Sequence, residues 1–293
     1  MICVYVPTVP AFWLSVYRHT LVCASPDTLQ HYQLAVNHWE RVHPELPISL
    51  VDSRAILAFQ NALSCGRSAA TVNSYTRPIK AILRLAASEE CGLLAKVPKI
   101  RRISERKRSP LALTVEEFGK VLAYVGMLTQ TEGGYPAADW WRAVLLTCWE
   151  SGLRYTALMS VRTVDLLWGD AGFFSQADVA KDKEAQWFPL QPATLEAIRA
   201  IYDPIREHLF PRSHAISTLG KRFRAILDAS GIYAPRGAGM RFHRLRRSKA
   251  SYTELAGGDA QRALGHSARS VTERYLDPRI VGRTKQPPMP LPS

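Results

Sequence analysis

Three stretches in the second half of the chain bring together side chains that could do chemistry. The first is Glu150-Ser151-Gly152-Leu153-Arg154, where a glycine ends one helical pattern and an arginine follows at the next turn. The second places Lys181 in a charged turn. The third runs Phe242-His243-Arg244-Leu245-Arg246, then Leu264-Gly265-His266, with Tyr275 nine residues beyond that histidine. Arginine presents a planar fork of donors that matches the non-bridging oxygens of a phosphate. Histidine titrates near neutrality and suits proton transfer. Tyrosine can attack as a phenolate and hold a covalent ester, but its ordinary pKa of about 10 requires a base or a strongly positive pocket. Taken singly, each has a plainer reading: Tyr275 or His266 as a satisfied core group, Arg154 as a carbonyl cap or surface ion pair, Lys181 as a solvated turn. The carboxylates are too scattered for a two-metal site and no Gly-x-x-x-x-Gly-Lys loop is present, so neither a metal nor a cofactor is expected.

The composition sets the frame. The chain has 293 residues, long enough for two domains, and 47% hydrophobic against 22% charged residues excludes wholesale disorder. The formal charge of +13 points to a polyanionic partner, nucleic acid ahead of an acidic membrane. That surplus is concentrated in two places. Residues 96–108 carry Lys96, Lys99, Arg101, Arg102, Arg106, Lys107 and Arg108 against Glu105 alone. Residues 221–249 carry Lys221, Arg222, Arg224, Arg236, Arg241, Arg244, Arg246, Arg247 and Lys249 against Asp228. Two short basic segments suit an electrostatic footprint better than a solubilising coat. Cys3, Cys23, Cys65, Cys91 and Cys148 form neither a disulfide framework nor a zinc pattern, so a reducing, cytoplasmic location is expected. The apolar N-terminus lacks a basic start and is broken by Pro7 and Pro10, which argues against a signal peptide, and no window is long enough to span a membrane.

Hydrophobic periodicity gives the elements that must position those residues. A helix from Thr28 to Val42 follows Ser25-Pro26-Asp27, another runs from Asp52 to Ser64, and a third begins near Ala70, with Pro78 implying a kink or a late start. With a short helix near the N-terminus they make a bundle over residues 1–95. Residues 96–109 read as a basic inter-domain linker. Thr114-Val115-Glu116-Glu117 is a capping box that opens a second domain over 110–285, and a further helix covers Ala137 to Glu150. Between Gly172 and Leu190 the helical period gives way to two short apolar runs around Lys181-Asp-Lys-Glu, a β-hairpin. The proline-rich residues 286–293 form an extended tail. The fold class is therefore mainly α with a small β-hairpin, a helical bundle followed by an α+β domain.

In that order and spacing the motifs resemble those of the tyrosine recombinase (phage integrase) family. Gly152-Leu153-Arg154 is similar to its first arginine motif, His243-x-x-Arg246 to its His-x-x-Arg motif, and Leu264-Gly265-His266 followed by Tyr275 to its nucleophile motif. Lys181, eight residues before Pro189-Leu190, is similar to the lysine of the family's β-hairpin. The resemblance spans most of the chain and implies a core-binding domain at 1–95 and a catalytic domain at 110–285. It implies a site-specific DNA recombinase or integrase, of a mobile element, that cuts and rejoins strands through a 3′-phosphotyrosyl ester. Tyr275 would be the nucleophile, Arg154 and Arg246 would hold the phosphate, His243 and His266 would move or donate protons, and Lys181 would protonate the leaving oxygen. The implied partners are double-stranded DNA, other protomers as a tetramer on paired sites, and DNA-bending accessory proteins, with no membrane.

Two positions depart from the family's pattern. Three residues after Arg154, where the family has an acidic residue, stands Ala157, and Arg244 follows the motif histidine where aspartate is common. Ala157 keeps open a catalytically idle DNA-binding protein on the same scaffold, beside a chromosome-resolving recombinase with the same chemistry. For DNA engagement, Lys99, Arg101, Arg102, Arg106, Lys107 and Arg108 would meet phosphates as the linker crosses the backbone, with Arg244 and Arg247 doing so beside the motif. Arg67, Asn73, Arg77 and Lys80 on the third helix would read bases. Affinity should fall by about 0.9 log units per log unit of salt for each phosphate neutralised, read from binding isotherms across a salt series.

Overall fold

The computed structural model describes residues 6–105, 109–176, 185–233 and 242–282. The chain divides into two compact units, Met1–Lys107 and Arg108–Ser293. Both are built mainly of helices, with two small antiparallel sheets in the second.

The first unit starts with α1 (Val9–Phe12), a π-helical turn at Trp13–Tyr17 and α2 (Arg18–Thr20), followed by α3 (Pro26–Val42), α4 (Ser53–Ser64) and α5 (Ala69–Ala86). Ser25, Asp52 and Ser68 each cap the helix that follows by accepting a backbone N–H of its first turn. The apolar faces close on a core of Phe12, Trp13, Trp39, Phe59, Ile79 and Ile82. Pro78 causes no late start, because α5 begins at Ala69 and runs through it. A proline within a helix leaves the carbonyl four residues earlier without its donor. Here that carbonyl, Ser74 C=O, accepts from His31 Nε2 on α3 at 3.2 Å. Residues of the basic segment also fold onto this unit: Ile100 and Ile103 pack against its core, and Arg101 C=O accepts from Gln60 Nε2 at 2.9 Å.

The second unit opens on the capping box. Thr114 Oγ1 accepts from Glu117 N at 3.2 Å and Glu117 Oε2 from Thr114 N at 3.1 Å, which starts α6 (Val115–Val125). A small pair, β1 (Thr131–Glu132) and β2 (Tyr135–Pro136), leads into α7 (Ala137–Ser151). This helix is apolar nearly all round, so it is enclosed by its neighbours, with Trp140, Val144, Leu145 and Cys148 buried. Next come α8 (Tyr155–Leu158), β3 (Leu166–Leu167), β4 (Gly172–Ser175) and β5 (Gln186–Pro189). The expected hairpin is present as β4 and β5, antiparallel with Phe173 opposite Phe188, and β3 adds a third strand in the order β3-β4-β5. The chain continues through α9 (Pro192–Arg199), α10 (Ile216–Ala229), α11 (Phe242–Leu255), α12 (Ala260–Ala263), α13 (Arg269–Thr272) and α14 (Pro278–Val281). The hairpin tip with Lys181 and the tail at 286–293 lie outside the described residues. Cys23, Cys65, Cys91 and Cys148 are free thiols, and among the described residues no helix is long and apolar enough to cross a membrane.

The pairing of β4 with β5 depends on a glycine at its base. A Cβ on Gly172 would lie 2.5 Å from Phe188 O and would collide with the Trp187 ring, so backbone and indole must both shift. Gly172→Ala should cost about 1–3 kcal/mol, the usual range for overpacking. Urea unfolding of the full chain measures it, and an unchanged midpoint would contradict this account of the hairpin base.

Candidate active site

The site is built where the end of α7 meets α11. Gly152 ends α7 in the left-handed region (φ 64°), and its N–H closes the helix onto Cys148 C=O at 2.9 Å. A Cβ there would stand 2.9 Å from Lys249 Cβ and 3.1 Å from Leu264 Cδ2, so both conformation and space require glycine. The turn delivers Arg154 to the N-cap of α8 and Tyr155 to a buried place against Phe242, the first residue of α11. Those rings stack with centroids 3.7 Å apart and planes 10° apart. Because Arg154 precedes one ring and His243 follows the other, an apolar stack brings the two polar groups to the same place. Neither Tyr155 nor Phe242 has a role that its residue type or spacing alone reveals.

Arg246, one turn after His243 on α11, is 3% exposed and ties two other stretches of chain to that helix. Its Nη1 donates to Gly152 C=O at 2.6 Å, and its Nη2 donates to Leu264 C=O at 2.6 Å and to His266 Nε2 at 3.3 Å. A guanidinium can only donate, so His266 Nε2 is an acceptor and the neutral ring carries its proton on Nδ1, which donates to Thr272 Oγ1 at 3.1 Å. In this state His266 supports Arg246. Tyr275 lies over the same group, its ring centroid 5.8 Å from Arg246 Cζ, 4.8 Å from the His266 ring and 6.4 Å from the His243 ring. Four of the six sequence candidates therefore converge. Arg154 joins them through its charge, which bears on His243, and among the described residues its guanidinium makes no hydrogen bond or ion pair. Lys181 lies outside the described residues. Ala157, in α8, is buried and contributes only a methyl group.

The field of the site is strongly positive. Burial holds the His243 imidazole below its ordinary value, and the charges of Arg246, Arg247 and Arg154 push it the same way. Arg247, half-buried beside Tyr275 and Asp277, is lowered by burial while those two neighbours oppose the shift. Lys249 is also lowered by burial, with Glu150 acting against it. Among the described residues no group of three His, Cys, Asp or Glu side chains could hold a metal ion.

The expected DNA contacts divide. Arg244 is corrected: it is 3% exposed, donates to Ala112 C=O at 3.3 Å and faces Glu117 at 3.6 Å, so it is a packing residue and not an outward phosphate contact. The reason is the helical period, since residues 244 and 248 share the α11 face that meets Ala112-Leu113. Asn73 is also engaged otherwise. It clamps the backbone of Ile103, with Oδ1 accepting from its N–H at 2.9 Å and Nδ2 donating to its C=O at 2.8 Å, and it meets Glu105 as well. Arg77, Lys80, Arg101 and Arg102 line a cleft of about 200 Å³ on the first unit. Arg67 is exposed, 5.9 Å over the Tyr75 ring and 3.4 Å from His38 Nε2, and Lys99 is exposed too. Arg106, Lys107 and Arg108 lie outside the described residues.

No family model and no curated protein matches the sequence. Solved structures do match in fold. A lambda integrase fragment (75–356), a dimer bound to a COC′ core site, superposes with a TM-score of 0.74 at 20% identity over 92% of this chain and 95% of that one. The Tn1549 transposon integrase (82–397), in complex with circular intermediate DNA, gives 0.72 at 16% identity over 92% and 95%. A lambda integrase tetramer on a Holliday junction gives 0.71 at 21% identity over 94% and 78%. The chain thus has the fold of the tyrosine recombinases.

The depressed His243 gives a direct check. In the DNA-free chain its imidazole should titrate below 6.5, and in Arg154→Ala the midpoint should move up toward that value as one repelling charge is lost. NMR pH titration of the ring resonances measures both. A wild-type midpoint above 6.5 would remove the positive field from the account.

Proposed function

We propose that the protein is a site-specific DNA recombinase that cuts and rejoins strands through Tyr275. The observation that supports this most is the convergence of Tyr275, Arg246, His266 and His243 on one another, with Arg154 unspent beside them. In this reading His243, kept neutral by its surroundings, takes the phenolic proton as the Tyr275 oxygen attacks phosphorus. The bond to the 5′ oxygen breaks, and Lys181 from the hairpin supplies that oxygen with a proton. The strand remains as a 3′-phosphotyrosyl ester, which conserves the bond energy needed for rejoining. Arg154 and Arg246 meet the non-bridging oxygens, whose charge grows in the transition state.

On the first unit, Arg77, Lys80, Arg101 and Arg102 offer a cluster of cations to backbone phosphates, and Arg67, just before the Ser68 cap of α5, adds an exposed charge. Asn73 is left out of base reading because its amide holds the chain at Ile103. A role in a mobile element, with protomers assembled on paired sites, accords with what the lambda and Tn1549 integrase structures contain. Ala157 supports the competing reading of a DNA-binding protein without catalysis, since no carboxylate occupies that place.

A suicide substrate nicked to let the 5′ fragment escape separates the two. The wild-type chain should form a covalent adduct that vanishes in Tyr275→Phe. Arg154→Ala should slow adduct formation by about 100- to 1000-fold, the usual loss for one transition-state donor, while duplex affinity stays within a few-fold. Duplex binding with no adduct in the wild type would overturn the recombinase reading.

A further inference from the structure

The chain just after Tyr275 is tied down in a way that the proposed chemistry does not use. Asp277, two residues beyond the tyrosine, is 1% exposed, yet it is a carboxylate on a chain segment between two short helices. Its Oδ2 accepts from the backbone N–H of Ala112 at 2.8 Å, a contact 165 residues away in sequence. It also receives Arg279 through the backbone N–H at 2.9 Å and Nη2 at 2.8 Å. Arg279 reaches on to Ala112 C=O at 2.9 Å and to Glu117 at 3.3 Å, and Glu117 is the residue that closes the capping box of α6. From the other side Ser251 Oγ, on α11, accepts from Asp277 N at 2.9 Å and donates to Tyr275 C=O at 3.5 Å. The segment that carries the tyrosine is thus fastened both to the start of the second unit and to the helix that carries His243 and Arg246.

We propose that Asp277, Arg279 and Glu117 form a latch that positions Tyr275 in the active site of its own chain. The inference rests on the recombinase reading and specifies how the nucleophile is held. Asp277 and Arg279 touch no reacting atom in this account and are positioning residues. Burial alone would raise the Asp277 carboxyl, but donors from Arg279 and Ala112 hold it below the usual range, so the latch is charged at neutral pH. An aspartate this enclosed could not remain ionised without those partners, which makes the latch cooperative: losing the guanidinium weakens the bond to Ala112 as well. Donating Tyr275 to another protomer would require opening all of these contacts, so the latch favours cleavage in cis.

The test uses Arg279→Ala and Arg279→Lys in the full chain, since this side chain is exposed enough to be lost without unfolding, with Asp277→Asn as the buried counterpart. Adduct formation on the suicide substrate should fall by about 10- to 100-fold in Arg279→Ala, the scale of loss for a misplaced reacting group, while duplex affinity stays within about twofold. Arg279→Lys, which keeps the charge without the fork, should fall between wild type and Arg279→Ala. Backbone hydrogen exchange over 273–281 and 111–117 should quicken together in Arg279→Ala and Asp277→Asn. A mixture of Tyr275→Phe and Arg154→Ala protomers should form adduct no faster than Arg154→Ala alone. Unchanged adduct rates with unchanged exchange, or adduct formed by the mixture faster than by Arg154→Ala alone, would overturn the latch. Should the wild type form no adduct, the recombinase reading fails while the exchange comparison still decides whether the latch holds the tyrosine segment.

Discussion

The second unit is organised around one buried guanidinium. Arg246 cannot give up its charge, so its burial is tolerable only where oxygen or nitrogen acceptors surround it. Gly152 C=O, Leu264 C=O and His266 Nε2 supply them. The acceptors come from two distant stretches of chain, at 152 and at 264–266, so satisfying one side chain fixes both relative to α11. Gly152 has to be glycine for the carbonyl to reach, and Leu264 closes the space a Cβ would have filled. Those two stretches carry Arg154 and His266, and the Tyr275 ring lies over the same guanidinium. Folding requirement and site assembly are therefore one constraint.

α11 divides its labour by face. His243 and Arg246 lie on the side toward Tyr275, whereas Arg244, Ser248 and Ser251 pack toward Ala112-Leu113 and the segment after the tyrosine. A helix with a period of 3.6 residues can serve both sides, which explains how neighbouring arginines in one motif come to opposite uses. Apolar contacts set the start of this helix. The stack of Phe242 on Tyr155, extended by Phe223 and Trp141, fixes α11 against the turn that bears Arg154. The positive field at His243 follows from that packing, because like charges are held near a half-buried ring.

Helix starts were legible because their caps are local: Ser25, Asp52 and the Thr114–Glu117 box each act within four residues. The order of Arg154, His243, Arg246, His266 and Tyr275 was legible for the same kind of reason, as short motifs at fixed intervals. Residue type misled where a polar group had a partner far along the chain. Asn73 looks like a base reader until Ile103 occupies its amide. Arg244 looks like a phosphate contact until the helix turns it toward Glu117. Pro78 looks like a break until His31 satisfies the carbonyl it orphans.

The sequence by itself determined the helical plan, the hairpin at Gly172–Leu190 and the identity of the groups able to act on a phosphate. Those depend on local propensity, periodicity and side-chain chemistry, all of which are written in neighbouring residues. Only the tertiary structure decided which charges are spent inside the protein and which face outward. It assigned Arg246 and Arg244 to buried acceptors and left Arg154 beside His243. It also tied Asp277 to Ala112 across 165 residues, a pairing with no local signature. A buried charge must find its partners wherever folding brings them, and no spacing along the chain records where that will be.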